Sequence, residues 1–158
     1  MLGSESASRS IMPRWTPLLV GSERRRKLVR ARVLLADDHS SLLEAVSALL
    51  GPYFDIVGTA RDGAALVEEA LRLNPDVIVA DITMPVLSGI EAANKLRDCG
   101  CPARVVFLTI HAEGEFVRAC MAGGALGYVL KGRMKAHLVP AVQAALAGRT
   151  YITPVLSL

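Results

Sequence analysis

The fold is decided by the stretch from Val77 to Pro85, which reads VIVADITMP. Four apolar residues are followed by a carboxylate and then by a proline-bearing turn, a pattern that indicates a buried strand ending at Asp81. In open α/β sheets, the carboxyl end of a buried strand is the edge at which binding sites lie. The sequence therefore predicts an α/β protein in which Asp81 lies at the carboxyl end of a strand.

Three further apolar runs also end on polar or charged residues. The runs are 33–36, 105–108 and 127–130, and the residues that follow or close them are the acidic pair Asp37 and Asp38, then Thr109, then Lys131. Binding sites in open α/β sheets lie outside the carboxyl ends of the strands. We therefore expect these side chains to converge with Asp81 on one site.

From Arg32 onward, apolar runs alternate with amphipathic stretches. We predict strands at 32–37, 54–60, 76–81, 104–109 and 127–130, and helices at 40–50, 62–73, 88–98, 112–122 and 134–147. Ser88 followed by Glu91 three residues later predicts a capping box at the start of the third helix. Strands alternating with helices predict a doubly wound parallel sheet, because right-handed crossovers place helices on both of its faces.

Charge is distributed unevenly along the 158 residues, of which 52% are hydrophobic and 21% are charged. Residues 1–32 carry eight basic and two acidic side chains, a net charge of +6, whereas residues 33–158 carry ten basic and thirteen acidic ones, a net charge of −3. The basic charge belongs to the leader and is poor evidence that the domain binds nucleic acid. We predict a flexible tail at 1–30, one domain at 31–150, and a C-terminal tail or the start of a linker at 151–158.

The sequence also predicts a cytoplasmic protein without membrane contact. No apolar run reaches the roughly 20 residues that a membrane-spanning helix needs. The segment from Trp15 to Val20 is too short for a signal peptide, and Pro17 interrupts it. The three cysteines are odd in number and lack metal-ligand spacing, so we interpret them as idle thiols in a reducing cytosol.

The acidic residues at the strand ends indicate a metal-assisted site. Asp37, Asp38 and Asp81 would gather three carboxylates, which repel each other unless a cation is present. Mg²⁺ prefers hard oxygen ligands and keeps water molecules that phosphate oxygens can replace. Asp81 is then a candidate nucleophile for forming an aspartyl phosphate, and Thr109 and Lys131 supply a hydroxyl and an ammonium for the phosphoryl oxygens.

Several segments together resemble the receiver domain of bacterial two-component response regulators. They are VLLADDH at 33–39, DITMP at 81–85, Ser88-Gly89, Leu108-Thr109 and GALGYVLK at 124–131. The resemblance covers about residues 32–150. It implies a flavodoxin-like fold, with five parallel strands in the order 2-1-3-4-5.

The resemblance also implies a role for each site residue. Asp81 would accept a phosphoryl group from a sensor histidine kinase or a phosphotransfer protein. The implied ligands for Mg²⁺ are Asp37, Asp38, Asp81 and the Thr83 backbone carbonyl. The implied switch residues are the Thr109 hydroxyl, the Tyr128 aromatic ring and the Lys131 cation. The chain would be modified once per event without acting as an enzyme, and its 112–147 face would present a changed surface to an unknown downstream protein or to a second copy.

Details favour the NarL/FixJ-like subfamily. They include VGTA at 57–60, Asp62-Gly63, and the ending GRTYITP at 148–154. In that subfamily this ending leads into a linker and a helix-turn-helix domain. Because the sequence stops at Leu158, we expect no DNA binding by this chain. His39 and His111 are expected to be surface residues at the edge of the site.

Three alternatives remain at this stage. The chain could be the receiver half of a truncated DNA-binding transcription regulator, which a reading frame that continues past Leu158 would show. An aspartate-nucleophile phosphatase usually carries a second aspartate two residues after the first, where this chain has Thr83. A flavodoxin-like electron carrier shares the fold, but the acidic pair after the first strand would repel a flavin phosphate.

Overall fold

The computed structural model describes residues 29–154, so the predicted N-terminal tail up to residue 28 and residues 155–158 lie outside it. The strands are β1 (Arg32–Ala36), β2 (Asp55–Ala60), β3 (Val77–Ala80), β4 (Arg104–Thr109), β5 (Gly127–Leu130) and β6 (Tyr151–Ile152). The helices are α1 (Ser40–Leu50), α2 (Gly63–Leu73), α3 (Gly89–Asp98), α4 (Gly114–Ala122) and α5 (Met134–Leu146), with a 3-10 turn (Lys131–Arg133) before α5. Across the described residues, no helix is long and apolar enough to cross a membrane.

All strands are parallel, in the order β2-β1-β3-β4-β5-β6. The predicted parallel sheet, its order over the first five strands and its five helices are confirmed, but the prediction of five strands was wrong. The additional strand β6 pairs Tyr151 with Gly127 and Ile152 with Tyr128. A two-residue strand is too short to produce an apolar run, so its pairing partner rather than its own pattern defines it.

A buried threonine fixes the short β6 strand to its neighbour. Thr153 Oγ1 accepts a hydrogen bond from the Leu130 amide at 3.1 Å and donates one to the Tyr128 carbonyl at 3.3 Å. The Thr153 amide also donates to the Tyr128 carbonyl, at 3.0 Å. The residues after α5 are therefore attached to the strand that carries Tyr128.

Each central strand is buried on both faces, which explains the continuous apolar runs. Val33 and Leu35 pack with α1 and α5 on one side of the sheet. Leu34 and Ala36 pack with α2, α3 and α4 on the other side. Successive side chains of a strand point to opposite faces, so β1 contributes equally to two apolar cores.

The predicted capping box positions α3 against the end of β3. Ser88 Oγ accepts from the Glu91 amide at 3.1 Å, and Glu91 Oε1 accepts from the Ser88 amide at 2.9 Å. A Cβ atom on Gly89 would lie 1.9 Å from the Asp81 carbonyl oxygen. The absence of a side chain at Gly89 is therefore what allows the start of α3 to approach the backbone of Asp81.

Candidate functional site

The Lys131 ammonium lies between two carboxylates that come from different strand ends. Its Nζ atom is 2.8 Å from Asp37 Oδ2 and 3.0 Å from Asp81 Oδ2. Asp37 follows β1, Asp81 follows β3 and Lys131 follows β5. The side chains of Asp37, Asp81 and Lys131 are only 4%, 7% and 16% exposed. One buried cation thus compensates two buried carboxylates at the carboxyl edge of the sheet.

Burial and ion pairing shift the pKa values of this cluster in opposite directions. Burial alone would raise the pKa of Asp37, but hydrogen bonds from Lys131 and the His39 amide outweigh it and hold that pKa below its ordinary value. Burial alone would lower the pKa of Lys131, but its hydrogen bonds with Asp37 and Asp81 hold that pKa above its ordinary value. At neutral pH, Asp37 is therefore ionised and Lys131 is charged.

The two oxygen atoms of Asp81 have different partners. Oδ1 accepts a hydrogen bond from the Ile82 backbone amide at 2.7 Å. Oδ2 faces the Lys131 ammonium. These contacts hold the carboxyl group in one orientation at the tip of β3, where a carboxylate oxygen can act as a nucleophile.

The Asp38 side chain contains a buried oxygen atom that receives no directed hydrogen bond. This atom, Oδ1, lies 3.1 Å from His39 Nδ1, but the geometry is not that of a hydrogen bond. Asp37, Asp38 and His39 each place one potential ligand atom within 4.8 Å of the others. A buried carboxylate oxygen without a donor suits a hard divalent cation. The carboxylates therefore fit Mg²⁺, and His39 joins the cluster although the sequence did not predict it as a ligand.

His111 connects three of the predicted site residues. Its ring Nε2 lies 2.8 Å from Thr83 Oγ1, and its backbone amide donates to Thr109 Oγ1 at 3.3 Å. Its backbone carbonyl accepts a hydrogen bond from the Tyr128 hydroxyl at 2.7 Å. Its ring also stacks on Phe116 of α4, with the ring centroids 4.4 Å apart. His111 is thus a structural connection between the site loops and α4, a role that the sequence did not predict.

Tyr128 and Thr109 are both fully buried. The Tyr128 ring packs in the apolar core between the sheet and helices α2, α3 and α4. Burial raises the pKa of the Tyr128 hydroxyl, and nearby acidic groups add to this effect. The aromatic ring therefore points into the protein, with its hydroxyl directed to the loop after β4.

The predicted site residues do not all meet directly. Asp37, Asp81 and Lys131 are in contact, and Asp38 lies beside them through His39. Thr109 and Tyr128 meet through His111 rather than through each other. The Thr83 hydroxyl bonds to the His111 ring, and among the hydrogen bonds of residues 29–154 none is accepted by the Thr83 carbonyl.

Arg61 also contacts the site, although its residue type and neighbours in the sequence did not predict this. Its Nε and Nη2 atoms donate to the Asp38 backbone carbonyl at 3.2 and 2.9 Å. Arg61 comes directly after β2, the neighbour of β1 in the sheet. That position is the one signal that could have placed Arg61 beside the acidic pair.

Comparison with known proteins shows which family has this arrangement. Residues 33–143 match the response regulator receiver domain. The chain is 34% identical over 125 residues to the response regulator GacA of Pseudomonas viridiflava, covering 78% of this chain and 58% of GacA. It is 35% identical over 127 residues to the transcriptional regulatory protein DegU of Brevibacillus brevis, covering 79% of this chain and 54% of DegU. The chain thus spans just over half the length of these curated relatives.

The fold agrees with this match. The signal receiver domain of the response regulator NarL from Mycobacterium tuberculosis is 34% identical, with a TM-score of 0.73 over 76% of this chain and 98% of that domain. The chain covers nearly all of a solved receiver domain, and the acidic pair, Asp81 and Lys131 lie together at the carboxyl edge of the shared sheet. The chain therefore belongs to the response regulator receiver domain family of two-component systems, and it is related to the NarL and LuxR-family regulators.

Proposed function

We propose that Asp81 accepts a phosphoryl group from a sensor histidine kinase or a phosphotransfer protein, with the help of Mg²⁺. The observation that carries this proposal is the position of the Lys131 ammonium, which is within 3.0 Å of both Asp37 and Asp81. A fixed cation beside a nucleophilic carboxylate can bind the charged oxygens of an incoming phosphoryl group. The domain is modified once per signalling event instead of turning over a substrate.

The transfer forms one bond and breaks one. An Asp81 carboxylate oxygen attacks the phosphorus atom of a phosphohistidine donor, and the new O–P bond forms as the P–N bond breaks. The electron pair of the broken bond leaves with the imidazole nitrogen of the donor. Lys131 moves its hydrogen bond from the carboxylate to a phosphoryl oxygen, and the Thr109 hydroxyl donates to another. Both contacts counter the negative charge that Asp81 acquires.

The proposed metal ligands are Asp37, Asp38, Asp81 and the Thr83 backbone carbonyl. This proposal is supported by the Asp38 oxygen that lacks a directed hydrogen bond and by the hard oxygen character of the donors. When bound, Mg²⁺ neutralises charge on the transferring phosphoryl group. Asp37 would hold the metal and would also keep its contact with Lys131, whose Nζ atom is 2.8 Å from Asp37 Oδ2.

The proposed output is a change in the 112–147 face, which includes α4, β5 and α5. Thr109 and Tyr128 are joined through the backbone of His111, so a movement of the Thr109 hydroxyl toward a phosphoryl oxygen alters the support of the Tyr128 hydroxyl. The His111 ring lies on Phe116 and carries the change to α4. A local charge event thereby changes the surface that a downstream protein or a second copy contacts.

Apolar side chains beside the site support a protein as the phosphoryl donor. Val86, in the loop after β3, and Ile110, directly after β4, are 76% and 74% exposed. Exposed apolar side chains mark a protein contact when one partner covers them together, and a protein donor that docks over both loops would bury this pair. They lie in the segments that also contain Asp81 and Thr109.

A second proposal concerns the output of the protein. DegU is named a transcriptional regulatory protein, and this chain covers 54% of it. We propose, as the alternative to a stand-alone receiver, that this domain is the receiver half of a DNA-binding transcription regulator. The reading frame after Leu158 decides between them, because a helix-turn-helix domain would follow in the second case.

Phosphorylation is tested by incubation with acetyl phosphate and MgCl₂, followed by intact mass spectrometry. The wild type is expected to gain one phosphoryl group, and Asp81→Asn is expected to gain none. Asp55→Asn is the matched control, because Asp55 is an exposed carboxylate at the opposite end of a strand, and it should behave like the wild type. Modification of Asp81→Asn, or release of many phosphate equivalents from a small phosphomonoester, would contradict the proposal.

A further inference from the structure

A short turn, Arg61-Asp62-Gly63, contacts both loops that carry the proposed metal ligands. On one side, the Arg61 guanidinium donates through Nε and Nη2 to the Asp38 backbone carbonyl, at 3.2 and 2.9 Å. On the other side, the Gly63 amide donates to the Pro85 carbonyl at 3.3 Å, in the loop after β3. Phosphoryl transfer as described above uses none of these contacts.

The contact with Arg61 fixes the backbone of Asp38, whose own side chain has few contacts that would fix it. Asp38 Oδ1 has no directed hydrogen bond, and its carboxylate is partly exposed. The two N–H groups of Arg61 converge on one carbonyl oxygen, which a planar guanidinium can do without distortion. The pairing of Ala60 with Ala36 and a 3.0 Å hydrogen bond from the Asp37 amide to the Ala60 carbonyl place this guanidinium beside the acidic pair.

The turn that carries Arg61 is held by contacts of its own on both sides. The Asp62 side chain caps α2 by accepting a hydrogen bond from the Ala65 amide at 2.7 Å. A Cβ atom on Gly63 would lie 2.1 Å from the Leu87 carbonyl oxygen, so the turn packs tightly on the loop after β3. The turn can therefore hold Arg61 in place while Arg61 holds Asp38.

We propose that Arg61 is a positioning residue of the metal site, which keeps the Asp38 backbone in the orientation that presents its carboxylate to Mg²⁺. This inference rests on the proposed function above. The effect of positioning on Mg²⁺ affinity can be separated from the effect of the Arg61 charge, because the two change that affinity in opposite directions. A positive guanidinium beside a cation site opposes cation binding by Coulomb repulsion, so its removal should tighten Mg²⁺ binding if charge alone mattered. Loss of positioning should weaken it.

The test measures Mg²⁺ affinity of the unphosphorylated chain by calorimetry, and amide chemical shifts by NMR. We expect Arg61→Gln to weaken Mg²⁺ binding about 10-fold, the lower end of the range for residues that orient metal ligands. Arg61→Lys keeps the charge and can make only part of the contact, so it should fall between Arg61→Gln and the wild type. Arg72→Gln is the matched control, because Arg72 pairs with Glu69 on the exposed side of α2, and it should bind Mg²⁺ like the wild type.

The outcomes separate this inference from the proposed function. Equal or tighter Mg²⁺ binding by Arg61→Gln overturns the inference and leaves the metal site standing, provided that Asp38→Asn weakens binding. Absence of Mg²⁺ binding by the wild type overturns both. The unfolding midpoint of Arg61→Gln in EDTA is expected to match the wild type, with amide shifts confined to the segment around Asp38. A large drop of that midpoint would assign the effect to folding and overturn the positioning role.

Discussion

The Tyr128 hydroxyl donates a hydrogen bond to the His111 backbone carbonyl, and the two atoms are 2.7 Å apart. The contact joins β5 to the loop after β4, inside a core where the Tyr128 ring is fully buried. The same His111 holds the Thr109 hydroxyl through its backbone amide. His111 therefore links the Tyr128 ring in the core to the Thr109 hydroxyl at the site. We expect a substitution of either residue to alter the surroundings of the other.

Tyr128→Phe should lower the free energy of unfolding by about 1 kcal/mol, because the substitution removes the hydroxyl and leaves the His111 carbonyl without its donor. Urea unfolding monitored by circular dichroism measures the loss. Tyr53→Phe is the control, since Tyr53 is exposed and should change stability little. An equal loss in both variants would show that the His111 contact is not the cause.

Lys131→Met should destabilise the protein in EDTA, because it leaves Asp37 and Asp81 as neighbouring buried carboxylates without a cation. We expect a loss of about 2 kcal/mol, below the roughly 3–5 kcal/mol of a fully buried pair, because the lysine retains some contact with water. MgCl₂ should restore more stability to this variant than it adds to the wild type. Thermal unfolding with and without the metal measures both effects, and Lys135→Met, at an exposed position on α5, should show neither.

Stability should fall at alkaline pH, because burial raises the pKa of the Cys120 thiol from 9.0 to about 12 and also raises the pKa of Tyr128. In the unfolded chain these groups lose their protons at lower pH than in the folded protein. Their contribution is therefore complete below about pH 9 and is lost as the pH rises through the folded pKa values, at up to about 1.4 kcal/mol per pH unit for each group. Urea unfolding between pH 7 and pH 10.5 measures the slope of the free energy of unfolding against pH.

Cys120→Ala should make that alkaline slope shallower, even though it also lowers stability at neutral pH by leaving a small cavity. Cys99→Ala, at an exposed position, should leave the slope as it is in the wild type. An identical slope for Cys120→Ala and the wild type would remove Cys120 as a source of the pH dependence.

Val86→Asn should stabilise the protein by about 1 kcal/mol, because Val86 adopts a left-handed backbone conformation that a β-branched residue tolerates poorly. Its φ angle is +70°, and its side chain is exposed, so the substitution removes little packing. Ile110→Asn is the control, since Ile110 is equally exposed but does not have a positive φ angle. If urea unfolding shows the same change for both, backbone strain at Val86 is not the cause.

The sequence predicted those parts of the fold in which burial restricts the residue type. The buried parts of β1, β3 and β4 are apolar because both of their faces are covered, so these strands were recognisable, and so was the polar residue at or just after the end of each. The contact of Lys131 with Asp37 and Asp81 followed from the same topology, because parallel strands place their carboxyl ends together.

The contacts made by Arg61 and His111 were not predictable in the same way. Arg61 binds the backbone carbonyl of Asp38, and His111 contributes its own backbone amide and carbonyl to Thr109 and Tyr128. Every residue except proline has these backbone groups, so the identity of the contacted residue gives no signal in the sequence. Such contacts depend on loop geometry, which a pattern of apolar residues does not define.

The short β6 strand has a consequence for self-assembly. A sheet edge that is long and flat presents a row of free amides and carbonyls to which a strand of another molecule can add, and proteins commonly prevent this by keeping the edge strand short. Within residues 29–154, the edge strand beside β5 is only two residues long. Fibril-like stacking of copies is therefore disfavoured on the side of the sheet that carries Tyr128.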